Sequence, residues 1–150
     1  MGIKPLRVIG TIALGAVVLI GGLSLVPINR TNPAVTYQMQ WDSPQTKAIW
    51  DRACKDCHSN ETVWPVWSYI APASFLIANH VSDGRRQLNV SQPPGGRGGF
   101  AGTINDSERQ INSGGMPDPI YVPLHPDSVL TAAEKAQLIA GIKATFSAAK

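Results

Sequence analysis

Hydrophobic and polar positions divide the chain into stretches of different rhythm. Residues 8–26 are 19 positions without a charge, and as a helix rising about 1.5 Å per residue they match the hydrocarbon thickness of a bilayer. One transmembrane helix is predicted there. Pro27 and Pro33, with Asn29, Thr31 and Asn32 around them, then break any helical period and predict a tether over residues 28–42. Val35, Tyr37, Met39 and Trp41 alternate near its end, which suits a short strand or a segment lying extended on a domain. Helical spacing takes over at Ser43, a good N-cap with Pro44 in the first helical position, and sets Ile49, Trp50, Ala53 and Cys54 on one buried stripe. A second helix is predicted from about Pro72, with Phe75, Leu76 and Ile77, ending at Gly84 as a C-cap. A shorter one over residues 107–113 stops at Gly114. Thr131-Ala132-Ala133-Glu134 is a capping box, and the helix it opens carries Leu138, Ile139, Ile142 and Phe146 on one face.

This pattern predicts three parts: an N-terminal membrane anchor (1–27), a linker (28–42) and one helical domain (43–150). With 14 Gly and 12 Pro, much of that domain is expected to be loop. The formal charge of +3 comes wholly from Lys4, Arg7 and Arg30, since ten basic residues balance ten acidic ones from Thr31 onward. The domain is neutral, which gives no support to nucleic-acid binding. Lys4 and Arg7 precede the apolar run and favour a cytoplasmic N-terminus with the domain on the other side. A cleaved signal peptide is the alternative, but residues 23–27 carry no small-residue cleavage pattern.

Candidate chemistry concentrates in Cys54-Lys55-Asp56-Cys57-His58, which spells C-x-x-C-H, the attachment site for a c-type haem. Two thiols add across the two porphyrin vinyl groups, and the adjacent imidazole reaches the iron. Cys54 and Cys57 are the only cysteines, so no disulfide framework remains. A zinc ribbon would need a second ligand pair, and His80 and His125 stand far apart and singly. A thioredoxin-like dithiol would want a strand before the motif, where a helix is predicted. The cofactor expected is one covalent haem c per chain. Because haem is attached to this motif outside the bacterial cytoplasmic membrane, the domain is expected in the periplasm.

The sixth iron ligand is the open point. Met116 sits in Ser113-Gly114-Gly115-Met116-Pro117, 58 residues after His58, where class I cytochromes c carry their thioether. Its bland alternative is a methionine filling a core gap. His80 is the rival ligand, and His125 a weaker one. Trp64 and Trp67 have N–H groups that could meet a haem propionate, or they are ordinary core. Arg85 and Arg86 are propionate partners or surface residues, and Tyr121 and His125 either brace the methionine loop or sit in an ordinary turn. The glycine-rich residues 95–99 lack the G-K-[ST] and preceding strand of a phosphate loop.

Further residues carry a resemblance. Cys57-His58-Ser59-Asn60, Thr62, Trp64-Pro65, Trp67-Ser68, Ile70-Ala71-Pro72, Ser74, His80-Val81, Gly84-Arg85 and Leu88-Asn89 together resemble the haem-binding domain family of small, single-haem, membrane-anchored bacterial proteins. Met116-Pro117, Tyr121, His125-Pro126 and Leu130 continue the likeness, which covers about residues 50–141 and departs from the family pattern at 92–103. It implies haem c and a periplasmic domain, without a substrate. The expected fold is all-α, a class I cytochrome c-like helical domain around one covalent haem behind a single transmembrane helix. Two functions fit: a non-enzymatic carrier of single electrons between redox partner proteins, if His58 and Met116 both ligate, or a haem-based sensor or peroxidase-like protein, if the sixth position is open.

Overall fold

The computed structural model describes residues 5–95 and 99–149, and the described residues contain helices and no strand, so the all-α expectation holds. Lys4 and most of the glycine-rich stretch (96–98), both weighed above, lie outside the described residues. The chain forms two compact units, one of Met1–Thr31 with Val63–His80, the other of Asn32–Thr62 with Val81–Lys150.

The first unit holds helix α1 (Pro5–Ser24), two residues shorter at its C-terminal end than the apolar run because Leu25 and Val26 bond back to Gly22 and Leu23 in a closing turn. Its Arg7–Ser24 window has a mean hydropathy of 1.9 and buries none of its length, so it is long and apolar enough to span a membrane. The same unit contains a 3-10 turn (Val66–Tyr69) and the first part of helix α4 (Ala73–Gln87).

In the second unit, α2 (Pro44–Ala53) starts where its cap predicts: the Ser43 hydroxyl accepts from Thr46 N–H at 3.2 Å. Ile49, Trp50 and Ala53 are buried as the spacing requires, Cys54 is only partly so, and Thr46 joins the stripe. The one-turn helix α3 (Lys55–His58) follows, then the rest of α4, α5 (Ile104–Ser113) and α6 (Ala132–Ala148). The capping box of α6 is formed in both directions, and Arg52 of α2 pairs with Glu134 there. α6 packs against both α2 and α5, and Leu138, Ile142 and Phe146 are its buried face. The contact with α2 is close at Gly141, where an added Cβ would lie 2.0 Å from Thr46 Oγ1.

One expectation changes. Gly84 does not end a helix. α4 continues to Gln87, and Leu88 N–H still donates to Gly84 C=O at 2.9 Å. Glycine is required there by proximity, since a Cβ would stand 2.5 Å from the Cys57 carbonyl oxygen. Of the two alternatives for the end of the linker stretch, a strand or a segment lying extended on the domain, residues 32–42 take the second. Thr36 and Tyr37 N–H donate to Ser91 C=O, Asn60 Nδ2 donates to Ala34 C=O, and Trp41 stacks obliquely on Trp50 at 5.1 Å.

Candidate haem site

The cysteine motif is held by a turn and a helix. Cys57 and His58 N–H both donate to Cys54 C=O, closing α3 directly on the end of α2. Gly84 lets α4 approach this turn, and the approach aims two carbonyls at His58: Nδ1 lies 3.1 Å from Gly84 O and 3.1 Å from Leu88 O. A carbonyl only accepts, so Nδ1 carries the proton and Nε2 keeps its lone pair. Burial holds His58 below the usual imidazole range, although the two carbonyls oppose that shift, so the ring is neutral at pH 7.

Beside His58 opens a largely apolar cavity of about 270 Å³. Its walls include Cys54 and His58 of the motif, Trp50 of α2, Leu88, Ile111 of α5 and Met116. Met116 arrives there because Gly114, at φ +77°, ends α5 in the left-handed region, after which Met116 N–H reaches back to Gln110 C=O at 3.1 Å. Three residues singled out from sequence thus share one cavity. Cys57 is half-buried in the same turn but does not line the cavity. Trp64, Trp67 and His80 belong to the first unit and are not among the lining residues; Trp67 is 50% exposed.

The donor set suits haem. It offers a neutral imidazole with a free Nε2, a thioether from a separate loop, and two neighbouring thiols. One buried atom also wants a partner: Trp50 Nε1 has none among the described residues, in a side chain that lines the cavity. Sequence spacing marked Trp50 only as core; its polar atom leaves no trace in a periodicity. The thiols do not resemble a redox-active dithiol, whose attacking cysteine is acidic. Burial pushes Cys54 up to about 12 and Cys57 up to about 11, with Cys57 adding to the effect at Cys54, and Asp56 and Asp118 at Cys57.

Around the motif, polar groups act as ties. Tyr121 O–H donates to Asp56 Oδ2 at 2.8 Å, joining the segment after Met116 to the middle of C-x-x-C-H. The His125 ring stacks on Tyr121 at 3.7 Å between centroids. Burial, then the Asp56 bond and charge, push the Tyr121 phenol far up. Arg85 is tied to the protein: its Nε donates to Ser59 C=O and its Nη2 to Asn32 Oδ1 and Thr62 Oγ1, each at 2.8 Å. Arg86 pairs with Asp83. Asp56 was invisible as a tie because its position between the cysteines is chemically unconstrained.

No curated protein and no solved structure matches the chain significantly. A family model described as a haem-binding domain matches residues 18–144, well beyond the span over which the sequence resemblance was traced. With the match covering most of the chain and a haem-competent donor set around one cavity, this protein belongs to the haem-binding domain family.

Proposed function

We propose that the protein is a membrane-anchored c-type cytochrome that passes single electrons between redox partner proteins on the periplasmic side of the bacterial inner membrane. The observation that carries this reading is the fixed tautomer of His58, whose Nε2 is left available beside a cavity that Met116 also lines. A bound haem supplies a one-electron iron couple. Cys54 and Cys57 would tether it by adding each S–H across a vinyl double bond, the sulfur bonding one carbon and the hydrogen the other, with no net oxidation. His58 Nε2 and the Met116 sulfur would hold the iron of that haem, leaving no ligand place for a substrate. Trp50, Leu88 and Ile111 would exclude water, and the Gly84 and Leu88 carbonyls would hold the imidazole plane and raise its basicity. The α1 helix supports anchoring by its length and apolar composition.

Absorption spectra of the oxidised and reduced protein, with and without carbon monoxide, test the ligation. The expected result is a low-spin haem with a weak long-wavelength sulfur-to-iron band, indifferent to carbon monoxide in the wild type and opened by Met116→Ala but not by His80→Ala. Carbon monoxide binding to the wild type would favour the sensor or peroxidase-like reading, and opening by His80→Ala alone a bis-histidine haem. Haem staining after denaturing electrophoresis reads the covalent bond and should vanish in the Cys54→Ala, Cys57→Ala double variant. Intact mass of the mature protein reads the anchor, and loss of the first two dozen or so residues would convert the reading to a secreted cytochrome.

A further inference from the structure

The Trp-Pro-x-Trp-Ser segment is a family-like motif that lies in the first unit. Within the first unit it is tied to the end of α1. Ser24, the last residue of that helix, accepts from Ala71 N–H at 3.0 Å through its hydroxyl oxygen. Arg30 Nη1 donates to Ser68 C=O at 2.8 Å, and its guanidinium lies 4.4 Å over the Tyr69 ring. Ser68 is fully buried, whereas Val66, Trp67, Tyr69 and Ile70 around it are 62%, 50%, 53% and 42% exposed. A short turn thus turns four large apolar or aromatic side chains outward beside the end of an apolar helix.

We propose that this turn is a membrane seat, with Val66, Trp67, Tyr69 and Ile70 resting in the headgroup layer of the bilayer that α1 crosses. The inference rests on α1 being a membrane anchor. The 18 residues of Arg7–Ser24 rise through about 27 Å, close to the hydrocarbon thickness, so Ser24 marks its boundary and groups bonded to Ser24 lie at interfacial depth. Tryptophan and tyrosine concentrate at that depth because each joins an apolar ring to a polar N–H or O–H. Arg30 adds a cation whose remaining donors suit lipid phosphate oxygens. The lipid surface therefore accounts for both the apolar exposure and the aromatic composition of the turn.

Photocrosslinking of the full-length holoprotein in phosphatidylcholine and phosphatidylglycerol vesicles tests the seat. The photoreactive residue p-benzoylphenylalanine replaces Val17, Trp67 or Ile70 in turn, and lipid adducts are counted by intact mass. Val17 reports the helix, and the other two report the turn. The expected result is lipid adducts at all three, with the turn positions within about threefold of Val17. Adducts at Val17 with none at Trp67 or Ile70 would overturn the seat and leave the anchor standing. Adducts to a second copy of the chain at the turn would also overturn it. Absence of lipid adducts at all three positions would remove the anchor and the seat together.

Discussion

Gly84→Ala measures how far the site depends on the approach of α4 to the cysteine motif. In an ordinary helix interior this change stabilises by up to about 1 kcal/mol through propensity alone. Here the new Cβ would lie 2.5 Å from Cys57 O, 2.9 Å from Cys57 Cβ and 3.0 Å from Cys57 C, two of them backbone atoms that no rotamer change can withdraw. Overpacking of this kind costs about 1–3 kcal/mol. Moving α4 away also lengthens the two 3.1 Å contacts that share the single His58 Nδ1 proton with Gly84 O and Leu88 O, at about 1 kcal/mol for that shared bond. The balance is a net loss of about 2 kcal/mol, or roughly 8 °C in Tm for a unit of this size. Thermal unfolding of the holoprotein by circular dichroism reads the loss, with Ser82→Ala on the exposed face of α4 as a control expected within about 0.5 kcal/mol of wild type. Redox titration supplies a second signal. On the proposed ligation, weaker donation from Nδ1 would make the imidazole a poorer ligand for ferric iron, so the reduction potential should rise. A Gly84→Ala protein as stable as wild type, at an unchanged potential, would refute the argument.

Tyr121 sets an alkaline limit. Because its phenol is raised in the fold by burial, then by the Asp56 bond and charge and by Cys57 and Asp127, the unfolded chain releases this proton first as pH climbs. The stability it contributes is therefore complete below about pH 10 and is lost above it. Urea unfolding of wild type and Tyr121→Phe across the alkaline range checks this: the wild type should fall more steeply, and parallel profiles would count against it. Thr131→Ala removes the N-cap of α6 and should cost about 1 kcal/mol in urea unfolding, with Thr131→Ser restoring most of it. The Thr131 backbone N–H, then its hydroxyl and the Arg52 guanidinium, hold Glu134 below the usual carboxylate range, so that part of the stability is present above about pH 4.5 and fades as pH falls through the lower folded value.

Local signals in the sequence were the most readable. Ser43-Pro44 and Thr131 to Glu134 specify helix starts through bonds spanning three residues, and both helices begin there. Gly114 marks a helix end because a left-handed residue is needed at that point and nowhere nearby. Gly84 looks the same in sequence yet does the opposite work. Its reason lies in Cys57, 27 positions earlier, and no local rule separates a capping glycine from one that admits a neighbouring chain. The alternation of Val35 to Trp41 was legible as an extended segment, but its destination was not, since Ser91 and Trp50 accept it through tertiary contacts. For the site, residue chemistry named Cys54, His58 and Met116, which the fold gathers at one cavity. The Trp50 N–H, the Asp56 tie and the carbonyls that orient His58 come from backbone placement, which residue identity does not encode.

The notch at Gly141 bears on how this sequence can drift over time. A methyl group at that position would meet Thr46 at Oγ1, Cγ2 and Cβ, at 2.0, 2.4 and 2.7 Å. Thr46 is fully buried and its hydroxyl shares hydrogen bonds with Ser43 and Gln137, so shrinking it sacrifices links at the start of one helix and the side of another. Positions 46 and 141 are consequently expected to change as a pair across descendants of this chain, and in a fixed order. A smaller residue arrives first at 46, and only then can a side chain be accepted at 141. The reverse route passes through an intermediate that overfills the joint, so selection closes it.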